Sequence, residues 1–435
     1  MLKDNFKKII KEFHESDLPE MVRRDLTIDQ QFFQSRINKI CTVTGPRRAG
    51  KTFFLMQLIK DLIKIGRSIE DILYVNFEDE RILPLQASDL QTILDAYYEL
   101  YGEKTKPYVF FDEIQNIEGW QPFARRLNDQ GYRLFITGSN SKMLSREIAS
   151  ALRGRTITYE LFPFSFSEYL SSQNIESGKN AIHGKQRHAI AVGFESFIST
   201  GGYPEIALMK SEPVRQRIIQ DYFNTVFYRD LVERYRINNT NLLRLWMNAL
   251  MINISTLVSF RKYENDFKSR GEKLSVASLA NFSRYLEEVY FGFFVELYSQ
   301  SERKRRMNPR KFYLIDTALH NYLTLRFSQN KGRLLENIVF LELRRTGKRI
   351  HYYKTRNGFE VDFVVTDSEG IPELIQVCHD LEDMETADRE KRALLAAMTE
   401  LDLKEGTILT YDSKNQIKEN GRIIEVLPVR EWIIE

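Results

Sequence analysis

The first half of the chain switches repeatedly between two hydrophobic periods. Short apolar runs of strand length are separated by stretches whose apolar residues recur every three or four positions. The runs are Ile40–Thr44, 71–80 (DILYVNFEDE), Tyr108–Phe111, Arg133–Thr137 and 156–161 (TITYEL). The helical stretches are 53–66, closed by Gly66, then 87–102, a segment following Glu113, and 141–154. Buried strands alternating with helices predict a parallel sheet covered on both faces. Residues 1–36 read as amphipathic helix leading into the first strand.

After about residue 162 the pattern changes. The stretch 161–170 (LFPFSFSEYL) reads as an aromatic linker, and the chain up to about 305 is mainly helical. Ser275–Val295 reads as a helix with Leu, Phe and Tyr at helical spacing. It is followed by the strand-like 293–299, the basic turn 301–311 (SERKRRMNPRK) and the strand 312–316. A helix and two strands joined by a charged turn outline a winged helix. The last hundred residues hold a helix at 333–347 and strands at 349–355, 359–365 and 373–378. The expected organisation is a parallel α/β domain with N-terminal helices over 1–165, a helical lid or linker over 166–240, a winged-helix-like module over 241–325 and a C-terminal α/β domain over 326–435.

Composition narrows this picture. A chain of 435 residues exceeds one ordinary core, and 43% hydrophobic with 28% charged residues is a globular balance. The two cysteines, Cys41 and Cys378, exclude a disulfide framework and a four-thiolate zinc site, and they fit a reducing compartment. The first residues are charged without an apolar core segment, and no apolar run approaches the roughly 20 residues of a membrane helix. A cytoplasmic protein with no membrane partner is expected. A net charge of +3 leaves the case for nucleic acid to local clusters.

The sharpest motif is Gly45-Pro46-Arg47-Arg48-Ala49-Gly50-Lys51-Thr52, a G-x-x-x-x-G-K-T loop between a predicted strand and a predicted helix. Its backbone N–H groups suit phosphate, aided by the helix dipole, and Gly45 and Gly50 permit close approach. Lys51 reaches the β- and γ-phosphates and Thr52 holds Mg²⁺, so ATP and Mg²⁺ are the expected ligands. An apolar strand ending in Asp112-Glu113 supplies the second half: Asp112 for the metal, Glu113 to polarise the attacking water. Ser139 and Asn140, at the end of the next strand, can reach the γ-phosphate or its water. Arg155, in LRGR before the last strand, can reach a neighbouring subunit's γ-phosphate. Asn76 is placed to contact Glu113.

VTGPRRAGKT, FFDEIQNIEGW, LFITGSNS, LRGR and LFPFSFSEY, with GGYPEIAL at 201–208, YFNTVFYRDLVERYRI at 222–237, FYLIDTAL at 312–319 and LLENIVFLEL at 334–343, resemble prokaryotic AAA+-like ATPases that carry a C-terminal domain of unknown function. The resemblance spans nearly the whole chain. It implies an AAA+-like P-loop fold with ATPase chemistry and leaves the biological role open.

In the C-terminal part, Glu336 on a helix, Asp362 in a strand and Gln376-Val377-Cys378 on the next strand resemble the PD-(D/E)xK (restriction-endonuclease-like) nuclease core. In that core, carboxylates hold Mg²⁺ and a lysine positions water. Here Gln376 stands at the third acid and Cys378 at the lysine, so an inactive nuclease core is expected. Glu360 and Glu373 are the available substitutes if it is active. Arg303, Lys304, Arg305, Arg306, Arg310 and Lys311 form a basic run suited to a phosphate backbone. The combined expectation is a homo-oligomeric ATPase coupling turnover to DNA binding or remodelling, branched DNA included. The alternatives are a nucleotide-state switch acting on a protein partner, and an ATPase with a live nuclease domain.

Overall fold

The computed structural model describes residues 2–28, 38–103, 106–139, 152, 154–182, 184–325, 331–381 and 384–434. The chain divides into two compact units, Met1–Phe162 and Pro163–Glu435.

In the first unit five strands, β1 (Ile40–Thr44), β2 (Ile72–Asn76), β3 (Tyr108–Asp112), β4 (Arg133–Gly138) and β5 (Thr156–Glu160), form one sheet in the order β2-β3-β4-β1-β5. Every pairing is parallel. Each face of the sheet carries its own core, which is why the strands are near-continuously apolar. Phe54, Leu55 and Ile59 of helix Lys51–Lys64 pack on one face, against Phe110 and Phe135 stacked at 4.6 Å. Phe77, Phe111, Trp120 and Leu127 fill the other face. Parallel register brings the carboxyl ends of β1, β3 and β4 to one edge, where open α/β sheets bind ligands.

The N-terminal helix is shorter than the pattern predicts. It covers Leu2–Glu15, and residues 17–24 have no helical structure. Pro19 disfavours helical backbone at Leu18, which ends the helix locally. Of the predicted helix at 141–154 only Leu152 and Gly154 are described; the rest, like Asn140, lies outside the described residues.

The second unit opens with a correction to the expected linker. Ser165 caps helix Phe166–Ser172 in a reciprocal box with Glu168, and Phe164 and Phe166 are core residues. Helices including Arg187–Thr200, Glu212–Thr225, Thr240–Ile252 and Val276–Glu288 follow. The last stops seven residues before the predicted Val295, because Tyr290 turns left-handed (φ 57°) and β7 (Gly292–Val295) begins. A Cβ on Gly292 would lie 2.5 Å from the Tyr313 carbonyl oxygen, so strand pairing there requires glycine. The strands β6 (Leu257–Val258), β7 and β8 (Arg310–Leu314) form an antiparallel sheet in the order β6-β8-β7. The basic run expected as a turn is a helix, Glu302–Met307, whose Ser301 cap accepts from Lys304 N.

The C-terminal part is a six-stranded mixed sheet, order β13-β14-β12-β11-β10-β9. Its strands are β9 (Arg349–Lys354), β10 (Glu360–Thr366), β11 (Pro372–Val377), β12 (Glu405–Thr410), β13 (Asn415–Glu419) and β14 (Arg422–Pro428). Helices Lys331–Arg345 and Met384–Glu400 pack against it.

Candidate nucleotide site and a buried carboxylate centre

The loop 45–50 leaves β1 and delivers the chain into helix Lys51–Lys64, whose cap Gly50 is left-handed (φ 92°). A Cβ at Gly45 would lie 2.0 Å from the Leu161 carbonyl oxygen, so only glycine allows the strand to turn there. Lys51 is buried. Its ammonium donates to the Pro46 carbonyl at 3.1 Å and sits 3.4 Å from a Glu113 carboxylate oxygen.

Asp112, at the end of β3, is fully buried and surrounded by hydroxyls. Thr52 Oγ1 donates to its Oδ2 at 2.7 Å, Tyr74 to the same oxygen at 3.1 Å, and Thr137 to Oδ1. Burial pushes the Asp112 pKa up, against the Thr137 and Thr52 hydrogen bonds that pull it down. Glu113 has left-handed backbone (φ 53°), and its N–H donates to Thr137 Oγ1 at 2.9 Å. Burial acts to raise its pKa, but the Lys51 ammonium, the Gln115 amide and Arg47 outweigh it and hold the carboxyl below its ordinary range. The Gln115 amide donates to Glu113 Oε2 and approaches Ser139 Oγ at 3.4 Å. Asn76, expected on Glu113, instead accepts from Glu78 N at 2.9 Å.

Three residues absent from the sequence reading complete the site: Gln115, Thr137 and Arg24. Buried Arg24 donates to the Ala49 carbonyl at 2.7 Å and to the Phe162 carbonyl at 2.5 Å. Gln115 had a visible signal, standing two residues past the acid pair. Arg24 had none, because it lies in a charged stretch far from the motif. A cleft of about 330 Å³ opens beside Thr52, lined also by Phe13, Leu18, Phe53, Met56 and Tyr74. Arg155 precedes β5, whereas the phosphate loop follows β1, and the two strands are parallel with Ile40 opposite Thr156. Arg155 therefore lies at the far edge of the sheet from Lys51, roughly 16 Å along the strand direction. It pairs there with Asp129 at 2.6 Å.

The donor set fits ATP and Mg²⁺. A buried lysine stands at a glycine-lined loop, and one hydroxyl with one carboxylate leaves the remaining Mg²⁺ positions to phosphate and water. Among the described residues no group of three His, Cys, Asp or Glu side chains is arranged to hold a metal alone.

The second constellation is corrected in one respect. Lys311, expected on the exposed basic run, points inward from β8 and is 2% exposed. Its ammonium contacts Glu336 at 2.8 Å, Asp362 at 2.7 Å and Glu360 at 2.9 Å. Tyr313 donates to the same Glu336 oxygen at 2.7 Å. Arg310 pairs with Glu296 at 2.8 Å and Arg305 donates to the Ser299 carbonyl at 2.7 Å, so Arg303, Lys304 and Arg306 are the exposed cations of the run. Gln376 Nε2 donates to Glu390 at 2.6 Å while its oxygen accepts from Asp362 N at 3.1 Å. Cys378 is buried in the core with Leu374 and Leu394, and burial pushes its thiol up to about 12. Glu373 pairs with Lys348 at the surface. With an ammonium already among the carboxylates, the arrangement does not fit a nuclease metal.

A family model described as an AAA domain matches residues 37–170. Two domains of unknown function follow, DUF8612 over 192–330 and DUF4143 over 331–432. An uncharacterized protein of Methanocaldococcus jannaschii is 36% identical over 405 residues, covering 91% of this chain and 88% of that protein. An uncharacterized protein of Haemophilus influenzae is 28% identical over 353 residues, covering 81% and 85%. Among solved structures, the Thermotoga maritima RuvB Holliday junction branch migration motor is 15% identical, covering 69% of this chain and 90% of that one, with a TM-score of 0.28. Cdc6p of Pyrobaculum aerophilum is 12% identical, covering 76% and 98%, with a TM-score of 0.26. At those scores neither carries an argument about function.

Proposed function

We propose an ATP hydrolase, on the premise that this chain belongs to the family of its Methanocaldococcus jannaschii relative and carries an AAA domain followed by two domains of unknown function. The observation that carries the reading is the joined pair of contacts at one sheet edge: Thr52 on Asp112 at 2.7 Å and Lys51 beside Glu113 at 3.4 Å. Lys51 and the loop amides would hold the phosphates, and Thr52 with Asp112 would hold Mg²⁺. The metal, when bound, neutralises charge on the phosphate oxygens. Glu113 takes a proton from the water whose oxygen attacks the γ-phosphorus, and ADP leaves with the bridging oxygen. The Lys51 ammonium lies against Glu113, and a phosphate would compete for it and leave Glu113 with Gln115. In this reading Ser139, with Asn140 as a further candidate, serves the γ-phosphate or its water, and Arg155 serves a neighbouring copy in a homo-oligomer.

A second element of the proposal is DNA as the partner. It is favoured by Arg303, Lys304 and Arg306 exposed on one capped helix, an arrangement suited to sequence-tolerant phosphate contact. The cytoplasm is the proposed location; the two cysteines are free and buried. Among the described residues no helix is long and apolar enough to cross a membrane.

The test measures ATP binding by calorimetry and phosphate release, with and without duplex, single-stranded and four-way-junction DNA. Lys51→Ala is expected to abolish binding. Glu113→Gln is expected to keep binding and lose at least about a hundredfold in turnover. Parent-like turnover in Glu113→Gln would move the base elsewhere. Stimulation by DNA that weakens with salt supports the DNA partner, whereas slow turnover indifferent to DNA points to a switch acting on a protein.

A further inference from the structure

We propose that the Lys311 ammonium is a built-in replacement for a divalent cation, and that it keeps Glu336, Glu360 and Asp362 from acting as a metal site. The three carboxylates come from different places, Glu336 from helix Lys331–Arg345 and Glu360 and Asp362 from β10, yet all converge on one nitrogen at 2.7–2.9 Å. Of its three protons, one goes to Glu336 Oε1 and one to Asp362 Oδ1, and Glu360 stands beside the same nitrogen as an ion pair. A backbone amide and a phenol support the same set: Val377 N donates to Asp362 Oδ2 at 2.9 Å and Tyr313 to Glu336. These contacts orient the oxygens as the outer hydrogen bonds of a metal site orient its ligands.

Charge does not balance in this centre. Three carboxyls face one ammonium. A divalent ion would match the three carboxyls better than the single charge of Lys311. The ammonium is buried and lies within 2.9 Å of all three carboxylates, so it stands where a bound ion would, and the native centre takes no metal. Oxygens spaced for an ammonium suit a cation of calcium's size better than magnesium, whose ligands sit near 2.0–2.1 Å. Glu360 is 35% exposed on its side chain, which gives a displacing ion a way in once the lysine is shortened.

The experiment uses the full chain without nucleotide and Ca²⁺ as the probe. Lys311→Met keeps the aliphatic stem and removes the charge. It is expected to lower the melting temperature, and millimolar Ca²⁺ is expected to recover several degrees of the loss, more than Mg²⁺ does. Calorimetry should show one Ca²⁺ site that the parent lacks and that Lys311→Met with Asp362→Asn loses again. If Lys311→Met does not fold alone, refolding should succeed with Ca²⁺ and fail without it. A folded Lys311→Met that binds no Ca²⁺ overturns the proposal. So does failure to fold in both conditions, and so does Ca²⁺ binding by the parent that Asp362→Asn abolishes. None of these readouts depends on ATP turnover, so they stand apart from the proposed hydrolase activity.

Discussion

Asp316 is a buried carboxyl whose two oxygens accept from Gly202 N at 2.7 Å and Ala318 N at 2.8 Å. Burial raises its pKa to about 6, against those two amides and Arg345, which pull it down. A carboxyl that binds its proton more tightly when folded penalises the folded state above its folded pKa. The penalty is relieved as pH falls through about 6 toward the unfolded value. Between pH 7 and pH 5 the parent should therefore gain about 1.4 kcal/mol from this residue, the worth of one pKa unit. Denaturant titrations of the parent and Asp316→Asn at both pH values test this: the difference between the two proteins should widen by that amount at pH 5. A constant difference would assign the proton elsewhere. The contact also explains two motifs that resemblance alone had marked. A Cβ at Gly201 would lie 1.8 Å from Asp316 Oδ1, so GGYPE and YLIDTAL are halves of one contact. Sequence cannot join residues over a hundred positions apart. The G-x-x-x-x-G-K-T loop is legible because its residues are contiguous. Lys311 was misread for the converse reason: a charge run says nothing of which cation a strand turns inward.

The extended segment after the first helix works as a strap along helix Lys51–Lys64. Lys60 donates to the Pro19 carbonyl at 2.8 Å, and Arg23 pairs with Asp61 through two bonds of 2.9 Å. The Arg24 backbone N–H donates to Gln57 at 2.8 Å, and the Arg24 guanidinium holds the Ala49 carbonyl inside the phosphate loop. Hydrogen bonds from charged donors contribute about 1.5–3 kcal/mol each when buried. Arg24→Ala should thus destabilise the protein by about 2–4 kcal/mol and weaken ATP binding roughly tenfold, as the loop loses a fixed carbonyl. Arg23→Ala, which breaks an exposed pair, should cost less than about 1 kcal/mol and leave binding intact. Thermal melts and calorimetry on both variants decide it; equal effects would mean that the strap acts as a whole and not through the loop. Helical periodicity could not find this element, because an extended strap has no repeat. The helix Glu302–Met307 escaped for a different reason: six residues are less than two turns, too few for a period, and the Ser301 cap was its one local sign.

At the scale of the whole molecule, the parallel sheet was legible because its inner strands β1, β3 and β4 are buried on both faces, and their hydrophobic runs mark that directly. The partner of Arg155 was not, since a finger acting between copies leaves no trace in one chain's pattern. The sheet itself constrains the answer. Arg155 precedes β5 and the phosphate loop follows the parallel β1, so no side-chain rotation brings this guanidinium to its own Lys51. Its two bonds to Asp129, at 2.6 and 3.3 Å, are open to solvent, so a phosphate could exchange for the carboxylate. If the arginine acts, it acts on a second copy through a head-to-tail interface. Arg155→Ala should then bind ATP with the parent's affinity and lose at least about tenfold in turnover, as one transition-state cation is removed. Mixed in equal amounts with Glu113→Gln, it should recover roughly a quarter of parent turnover, because random assortment pairs an intact Glu113 with an intact Arg155 at one interface in four. Phosphate release from the mixture, measured against each protein alone, checks the recovery. A mixture no faster than its components, together with a monomeric mass in the presence of ATP, would leave Arg155 with its Asp129 contact and no part in turnover.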